Sequence, residues 1–400
     1  MKTESLVCLN DVIVSANTGL DAIKRAPIVD YDSGIRCLRI QDISQDKDFD
    51  NWGFCKVENK NFDKFQLKEN DIIIARTGAT IGVNRFIRSK LDAVYNNGLI
   101  RIRINEKVAN PKYIYYCMQS QKYRDFINSI CAGTSTQPNM KINAFLNFDF
   151  ILPSIEIQRN IVNVLGAFDD KIENNNAIND NLQQQAQALY HERFESMSFD
   201  ELPSSWRVVN LGDVASISNK SFNPLKEPET MLEHYSIPAF DKAKFPVFEP
   251  STSIKSNKFI VDAECFLISK LNPTTKRVWM PYCLTSNAVC STEFIVYKAK
   301  NKEMTDYLYS VIDSSTFSDY MCSYVTGSTG SRQRTTPSDT LSFELILPSE
   351  GDLADYQDIV SPMYTQMKIN TIENEKLKSL RDSLLPKLMS GAFDVSTVQL

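Results

Sequence analysis

Side chains that commonly perform catalysis or bind metals are sparse and widely spaced in this sequence. Its two histidines, His191 and His234, lie outside any HExxH motif, and its nine cysteines form no CxxC pair. With so few histidines and no such motif, neither a zinc site nor a histidine-based catalytic triad is expected. The stretch Gly78-Ala-Thr-Ile-Gly82 lacks the third glycine of a dinucleotide fingerprint, and no GxxxxGK[ST] loop is present. The sequence therefore excludes most common enzyme classes.

Two acidic residues and one lysine come nearest to a metal-dependent nuclease site. Asp262-Ala-Glu264 precedes Lys270, and nucleases of this kind use clustered carboxylates together with a lysine. Charged residues are also common at the edges of β-sheets, where they block pairing with further strands. We favour the edge-strand interpretation, and we expect neither a catalytic residue nor a metal site in this chain.

The composition is that of a folded protein with more than one domain. With 400 residues, 42% hydrophobic and 23% charged, the chain is expected to form two or three domains of roughly 150 residues each. No run approaches the roughly 18 to 20 apolar residues that a bilayer span requires. The cysteines are scattered and odd in number, which is typical of reduced thiols. We therefore expect a cytoplasmic protein.

The sequence consists of two copies of one pattern. Phe148-Asp-Phe-Ile-Leu-Pro-Ser154 recurs 195 positions later as Phe343-Glu-Leu-Ile-Leu-Pro-Ser349. Tyr113-Ile-Tyr115 recurs as Tyr307-Leu-Tyr309 at a spacing of 194. Recurrence at a nearly fixed spacing indicates a duplicated structural unit. We expect a pseudo-two-fold internal repeat.

A long segment with helical periodicity follows each Leu-Pro-Ser. Its seam residues recur at spacings of four and three, which is the 3.5-residue period of a coiled coil. Four asparagines occupy the seam, Asn175 and Asn179 in the first copy and Asn370 and Asn374 in the second. Polar seam residues cost stability and commonly fix register, so we predict a coiled coil whose register these asparagines set. Two amphipathic helices that pack separately on their own domains are the alternative.

Strand-like runs and shorter helical patterns fill the rest of each copy. The first copy has apolar or alternating runs at 71–76, 99–104 and 147–152 and a helical pattern at 111–130; the second has runs at 265–271, 293–297 and 341–347 and a helical pattern at 304–324. The predicted fold class is α+β, with two tandem globular α+β domains alternating with two long helices. We place the domains at 1–150 and 199–345 and the helices at 151–198 and 346–400.

The net charge of −5 is unevenly distributed along these segments. Residues 1–150, 151–200, 201–342 and 343–400 have net charges of +4, −5, 0 and −4, so the acidity lies in the helices. Residues 72–148 alone have eleven basic and three acidic side chains. Such a basic region is compatible with phosphate contacts, although a solvated surface of mixed charge would give the same pattern.

Four further stretches add to the repeat: Asn70-Asp-Ile-Ile-Ile-Ala-Arg-Thr-Gly78, Gly133-Thr-Ser-Thr-Gln-Pro-Asn139, Leu202-Pro-Ser-Ser-Trp206 and Leu377-x-x-Leu380-Arg-x-x-Leu384-Leu385-Pro-Lys-Leu-Met-Ser-Gly391. In their order and duplication, the patterns resemble the specificity subunit of a Type I restriction-modification system over nearly the whole chain. Two departures are visible. The first domain lacks the Pro-x-x-Trp opening of the second, and the second long helix has Leu353-Ala-Asp-Tyr356 where the first has an Ile-Gln pair.

This resemblance implies DNA recognition without catalysis. Each globular domain would be a target recognition domain for one half of a bipartite sequence in double-stranded DNA, and the long helices would pair antiparallel as a spacer. Two methylation subunits would dock on the helices and use S-adenosylmethionine, and a motor-nuclease restriction subunit would use ATP and Mg. No cofactor is expected in this chain, because Asn272-Pro273-Thr274-Thr275, its nearest approach to an adenine-methylation motif, lacks the second proline and the aromatic residue.

Polar loop residues are the candidates for contact with base edges, because Arg, Lys, Asn and Gln hydrogen bond to bases in the major groove. In the first domain they are Arg76, Thr77, Thr80, Asn84, Thr134, Gln137 and Asn139. In the second they are Lys270, Asn272, Thr275, Lys276, Arg277, Ser331, Arg332, Gln333 and Arg334. The candidates for phosphate contact are Arg85, Arg88, Lys90, Arg101 and Arg103. An ordinary solvated loop residue is the alternative for each.

Two other functions stay open at this point. A non-catalytic coiled-coil scaffold or adaptor with protein- or glycan-binding domains would have the same helices, and it would show no salt-dependent DNA binding. A self-contained DNA-modifying enzyme would need a catalytic constellation that the sequence lacks. Methyl transfer or DNA cleavage by the purified chain alone would reveal it.

Overall fold

The computed structural model describes residues 5–131, 139–326, 333–393 and 395. Its internal contacts divide the chain into two compact units, residues 1–171 with 376–400 and residues 172–375. Each unit contains one globular part and portions of both long helices. Among the described residues, no helix is long and apolar enough to cross a membrane.

Short strands and helices alternate in the globular part of the first unit. The strands are β1 (Ser5–Cys8), β2 (Ile13–Thr18), β3 (Arg36–Leu38), β4 (Ile72–Ala75), β5 (Asn84–Phe86), β6 (Ala93–Tyr95), β7 (Leu99–Ile104) and β8 (Asp149–Leu152). The helices are α1 (Leu9–Val12), α2 (Ile40–Ser44), α3 (Asn59–Phe65), α4 (Pro111–Cys117), α5 (Gln121–Cys131) and α6 (Ile142–Phe145). An antiparallel sheet has the order β2-β7-β4-β5, β1 pairs with β8, and β3 pairs in parallel with β6.

Strand β4 is covered on both faces, which explains its uninterrupted apolar sequence. Ile72 and Ile74 belong to a core cluster that includes Tyr113, whereas Ile73 belongs to a second cluster that includes Tyr95. A strand that is buried on both faces is apolar throughout instead of alternating. The strand is therefore a firmly packed base for the loop that begins at Arg76.

The second unit has the same kinds of element with more strands. They are β9 (Arg207–Asn210), β10 (Ala215–Ile217), β11 (Ser221–Phe222), β12 (Met231–Tyr235), β13 (Val247–Pro250), β14 (Lys258–Ile260), β15 (Cys265–Ser269), β16 (Val278–Trp279), β17 (Ala288–Ser291), β18 (Phe294–Ala299), β19 (Val325–Thr326), β20 (Arg334–Thr335) and β21 (Glu344–Leu347). Its shorter helices are α8 (Leu211–Val214), α9 (Ile237–Ala243), α10 (Thr305–Ile312) and α11 (Ser315–Ser323). The sheets have the orders β10-β18-β15-β16 and β11-β14-β17-β12-β13, with β9–β21 and β19–β20 as separate pairs.

The predicted internal repeat is confirmed within the two globular parts. The sheet β2-β7-β4-β5 has its counterpart in β10-β18-β15-β16, and the pair β1–β8 has its counterpart in β9–β21. The hydroxyl of Tyr113 donates to the carbonyl oxygen of Ile151 at 2.8 Å, and the hydroxyl of Tyr307 donates to that of Ile346 in the same way. The duplication therefore extends from sheet order to single hydrogen bonds.

The two long helices are α7 (Ile155–Tyr190), which continues as a π-helical turn at His191–Glu195, and α12 (Glu350–Met389). They pair antiparallel within each unit. In the first unit, Asn160 donates to the carbonyl oxygen of Val395, which follows α12, at 3.4 Å, and Asp169 of α7 is paired with Arg381 of α12 at 2.8 Å.

In the second unit, the side chains of Asn179 and Asn370 are hydrogen bonded across the helix pair at 2.9 Å. The helices also pack on the globular parts. Tyr190 and Tyr356, for example, belong to one core cluster with Tyr307. The predicted α+β fold with paired long helices is confirmed. Because the two helices contact each other, the alternative in which each helix packs separately on its own domain is wrong.

Two local predictions need correction. The helical pattern at 111–130 is two helices, α4 and α5, because Ser120 interrupts it and its hydroxyl oxygen accepts a hydrogen bond from the backbone N–H of Tyr123 at 3.2 Å. The pattern at 304–324 is likewise two helices, α10 and α11, interrupted at Ser314. The hydroxyl oxygen of Ser314 accepts a hydrogen bond from the backbone N–H of Phe317 at 3.1 Å. Side chains that cap a new helix start in this manner favour a break.

Candidate nucleic-acid interface

The end of β4 meets a returning segment of the chain in the first domain. Thr77 forms an isolated β-bridge with Asn139, and the N–H of Met140 donates to the carbonyl oxygen of Arg76 at 2.8 Å. The guanidinium of Arg76 donates to the Oδ1 of Asn139 through Nε at 3.2 Å and Nη2 at 2.8 Å. Three predicted base-contact residues, Arg76, Thr77 and Asn139, are therefore together at the C-terminal end of β4.

The second domain has the same crossing at the end of β15. Leu271 forms an isolated β-bridge with Arg334, and the N–H of Thr335 donates to the carbonyl oxygen of Lys270 at 3.1 Å. The N–H of Asn272 donates to the carbonyl oxygen of Gln333 at 2.9 Å. These contacts recur at the spacings of 194 and 195 that define the sequence repeat.

Arg334 is held by a carboxylate at this second crossing. Its Nε and Nη2 donate to the two carboxylate oxygens of Glu293 at 3.0 and 2.9 Å, and this hydrogen bonding lowers the pKa of Glu293. Asn272 has a positive φ of 49°, and its buried Oδ1 has no hydrogen-bond partner within the described part of the chain. The crossing therefore has a preoriented guanidinium at Arg334, and the buried Oδ1 of Asn272 is left without a partner within the described residues.

Thr275 and Thr80, two further candidates for base contact, lie in turns and are exposed and half-buried, respectively. Thr275 is exposed, and its N–H closes a turn by donating to the carbonyl oxygen of Asn272 at 2.9 Å. Thr80 is half-buried in the β4–β5 turn, where its carbonyl oxygen accepts from the N–H of Val83 at 3.0 Å.

Asn84 faces inward instead. Its Nδ2 donates to the carbonyl oxygens of Gly82 at 3.1 Å and Met118 at 3.4 Å, and its Oδ1 accepts from Gln119 at 2.6 Å. With both ends of the amide engaged by the protein, Asn84 is positioned to stabilise the β4–β5 turn.

Lys276 and Arg277 are both bound to carboxylates of their own domain. Lys276 Nζ lies 3.0 Å from the Oδ1 of Asp313, and Arg277 donates to both carboxylate oxygens of Asp241 at 2.6 and 3.0 Å. A base contact by either residue would have to replace an ion pair that is already formed.

The three outer candidates for phosphate contact differ in their partners. Arg85 contacts Asp46 at 2.5 Å, and Arg88 contacts Asp170 at 2.9 Å. Lys90 is exposed. Exposed ion pairs are worth little and exchange readily, so Arg88 and Lys90 are positioned where a phosphate could compete for them. Arg85 is largely covered and also donates to the carbonyl oxygen of Lys47 at 2.6 Å.

Arg101 and Arg103 occupy a different environment, which does not suit the predicted phosphate contact. Arg101 is only 3% exposed, and its Nη1 donates to the carbonyl oxygen of Gln66 at 3.2 Å. Arg103 donates to the buried carboxylate of Asp71 at 2.6 Å, a contact that raises the pKa of the guanidinium. The sequence placed both among the candidates for phosphate contact, but the segment around Gln66 lies over this face of β7.

Four predicted contact residues, Thr134, Gln137, Ser331 and Arg332, lie outside the described residues. Within the described residues, no three His, Cys, Asp or Glu side chains are grouped so that they could hold a metal ion.

The carboxylates that hold the basic candidates were not predicted from the sequence. Asp241 lies 36 positions before Arg277, Asp313 lies 37 positions after Lys276, and Glu293 lies 41 positions before Arg334. No spacing rule links such pairs. Only the fold brings them together.

All four predicted register asparagines lie at the helix interface of the second unit. Asn175, Asn370 and Asn374 are buried, and Asn179 is half-buried. Asn179 donates to the hydroxyl oxygen of Thr371 at 3.2 Å. The four amides therefore form two hydrogen-bonded pairs across the interface, Asn175 with Asn374 and Asn179 with Asn370.

Comparison of the sequence with known proteins identifies those to which this chain is similar. Residues 40–184 match the Type I restriction modification DNA specificity domain. The Type I restriction enzyme MjaIX specificity subunit of Methanocaldococcus jannaschii is 24% identical over 360 residues, which cover 81% of this chain and 78% of the relative. The Type I restriction enzyme HindI specificity subunit of Haemophilus influenzae is 21% identical over 404 residues, which cover 82% of this chain and 87% of the relative.

A solved structure agrees on the fold. The S subunit of the Type-I restriction-modification system from M. genitalium aligns with a TM-score of 0.58 at 15% sequence identity, covering 97% of this chain and 96% of that chain. The matched domain and the relatives along most of the sequence show that this chain is similar to the type I restriction-modification specificity subunits.

Proposed function

We propose that this chain is the non-catalytic subunit that selects the DNA sequence for a type I restriction-modification complex. Each globular domain recognises one half of a bipartite target in double-stranded DNA. The observation that supports this most directly is the repeated crossing, with Thr77 and Asn139 in the first domain and Leu271 and Arg334 in the second. Two equivalent loop sites on one chain suit two half-sites without the need for a homodimer.

The polar groups at the crossings have the chemistry for base contact. Asn139 uses its Oδ1 to hold Arg76, and its amide nitrogen has two donors for base acceptors. Arg334 is oriented by Glu293, and an oriented guanidinium suits the two acceptors on the major-groove edge of guanine. Thr134, Gln137, Ser331 and Arg332 belong to segments that adjoin these crossings in sequence, and we assign them to the same function.

Exposed cations around the first domain would contact the phosphates. Lys90 and Arg88 are exposed, and Arg88 and the largely covered Arg85 would exchange Asp170 and Asp46 for DNA. Each phosphate contact releases counterions, so binding should weaken with salt by a slope of about 0.9 per contact. The net charge of +4 on residues 1–150 is consistent with this function.

The paired helices would act as a spacer and as a docking surface for two methylation subunits. An α-helix rises about 1.5 Å per residue, so a helix as long as α7 measures about 54 Å, more than one turn of duplex DNA at about 34 Å. Methylation with S-adenosylmethionine, and translocation and cleavage with ATP and Mg, would take place on partner subunits.

Single-molecule sequencing of adenine methylation tests this function. Cells with this chain and a methylation subunit are compared with cells that lack this chain. We expect one bipartite motif, two short specific blocks around a fixed gap, that disappears with the chain. Absence of any motif, together with absence of salt-dependent DNA binding by the complex, would favour a scaffold function instead.

A further inference from the structure

Asp313 is a buried carboxylate beneath the β15–β16 loop, residues 270–277, which contains several of the predicted base contacts. It directly follows α10 and is 5% exposed. Its Oδ1 lies 3.0 Å from Lys276 Nζ, which also donates to the carbonyl oxygen of Asp313 at 2.7 Å. Lys276 is thus bound to both the side chain and the backbone of one residue.

The other oxygen of Asp313 is held by the long helix α7. Gln187 donates to Oδ2 at 2.9 Å, and Gln183 donates to the same atom. All of these residues belong to the second unit. The carboxylate therefore joins the β15–β16 loop to α7 through two amides on one side and one ammonium group on the other.

The contact between Asp313 and Lys276 depends on their opposite charges. A buried carboxylate is tolerated only when it is paired and hydrogen bonded. Burial raises the pKa of Asp313, and the ammonium group of Lys276 opposes that rise. Lys276 is the closest cation to Asp313 in the described structure, so the loop cannot withdraw Lys276 without leaving a buried charge uncompensated.

The first domain has a neutral version of the same contact. Gln119 lies 194 positions before Asp313, and its Nε2 donates to the Oδ1 of Asn84 in the β4–β5 turn at 2.6 Å. That turn is the counterpart of the β15–β16 loop. A residue at this position of the repeat therefore holds the turn next to the predicted base contacts in both domains.

We propose that Asp313 is a positioning residue for recognition of the second half-site. It holds Lys276 against α7, and Lys276 orders the loop so that Asn272 and Thr275 meet the DNA in a fixed geometry. Lys276 then acts as an anchor and does not contact a base. This inference rests on the proposed function.

The first test uses the full chain without DNA and measures backbone amide hydrogen exchange in the loop. Asp313→Asn removes the charge with little change in shape. The N–H groups of Asn272 and Thr275 should exchange about tenfold faster, the effect expected for loss of one charge-assisted hydrogen bond. Asp319→Asn removes an exposed charge from α11 and should leave the loop unchanged.

The second test uses the chain with its methylation subunits and duplexes that contain the mapped motif. One duplex has its first half scrambled and another its second half. Asp313→Asn should reduce discrimination at the second half about tenfold and leave the first half unchanged. It should also steepen the salt dependence by about one phosphate contact, because Lys276 becomes free to bind DNA.

Lys276→Met separates positioning from general destabilisation. Alone, it should reduce discrimination at the second half without steepening the salt dependence, and in combination it should abolish the steepening caused by Asp313→Asn. Unchanged loop exchange, or wild-type discrimination by Asp313→Asn on a chain that produces a motif, would overturn the inference alone. If the wild-type chain produces no motif, the proposed function fails and the inference fails with it.

Discussion

The side-chain amide of Asn175 on α7 donates a hydrogen bond to the Oδ1 of Asn374 on α12 at 2.9 Å. Both residues are buried. Asn374 donates in turn to Asn176 at 2.8 Å, and Asn175 makes a second contact with Glu373 at 2.8 Å. A shifted register would place these amides against apolar side chains without partners, so the network disfavours other registers of the antiparallel pair.

Substitutions of Asn175 and Asn374 should affect the stability of the fold and the register of the helix pair differently. Asn175→Leu alone should lower the free energy of unfolding by about 1–3 kcal/mol, because Asn374 loses a partner inside the seam. Asn175→Leu with Asn374→Leu should recover most of that loss. Complexes that contain the double variant should nevertheless methylate motifs with more than one gap length. Urea unfolding and methylation sequencing measure the two effects.

The exposed Asn174 on the same helix is the matched control. Asn174→Leu should change the free energy of unfolding by less than about 0.5 kcal/mol and leave the gap length unchanged. A double variant that keeps the single gap length of the wild type would remove the register function from this network.

The two crossings should contribute to different halves of the motif. Arg76→Ala removes the guanidinium that holds Asn139 in the first domain, and Arg334→Ala removes the guanidinium that Glu293 orients in the second. Each should relax one half only, by about 1–3 kcal/mol of discrimination, the usual value of a bidentate base contact. Methylation sequencing of each variant measures this directly.

Arg207, exposed on β9 outside these loops, provides the control, since Arg207→Ala should leave the motif unchanged. If Arg76→Ala and Arg334→Ala relax the same half, or if neither changes the motif, the assignment of one crossing to each half-site is incorrect.

Lys90 and Arg101 should behave in opposite ways. Lys90 is exposed, so Lys90→Ala should reduce affinity for every DNA sequence and lower the salt slope by about 0.9. Arg101 is buried and donates to the carbonyl oxygens of Gln66 and Lys64. Arg101→Met should therefore destabilise the fold by about 2–4 kcal/mol and leave the salt slope of the folded fraction unchanged.

Thermal unfolding and anisotropy titrations at several salt concentrations distinguish the two variants. A reduced salt slope for Arg101→Met, at a temperature where the variant is folded, would show that its guanidinium reaches DNA after all.

The large features of this fold follow from periodicity. The seam period predicts α7 and α12, and the uninterrupted Ile72-Ile-Ile74 run predicts β4. Each pattern indicates how many faces of the helix or strand are buried. The spacing of 194 to 195 predicts two equivalent domains, since a duplicated sequence forms a duplicated fold.

The environment of single charges does not follow from the sequence. The sequence Leu99-Ile-Arg-Ile-Arg-Ile104 suggests that Arg101 and Arg103 face solvent, yet the chain around Gln66 covers them. Likewise, nothing near Lys276 in sequence indicates that Asp313 neutralises it. Such contacts join residues that are far apart in sequence, so local sequence patterns do not predict them.

Acid should destabilise the second domain through His234, which is buried with its Nδ1 2.7 Å from Glu249 and its Nε2 without a hydrogen-bond partner in the described structure. Burial lowers the pKa of this imidazole below its ordinary value of 6.5. The unfolded chain therefore binds a proton at higher pH than the folded chain does. Stability is fully present above about pH 6.5 and is lost as the pH falls towards the folded pKa, by at most about 1.4 kcal/mol per pH unit.

His234→Gln should remove this dependence, because a neutral amide neither titrates nor leaves the position empty. His191, the other histidine of the sequence, is exposed, so His191→Gln should retain the wild-type dependence. Urea unfolding at pH 7.5, 6.5 and 5.5 provides the measurement. Equal pH dependence in the wild type and His234→Gln would mean that another group, such as Glu249, whose pKa is lowered by its hydrogen bonds to His234 and Ser253, dominates the acid response.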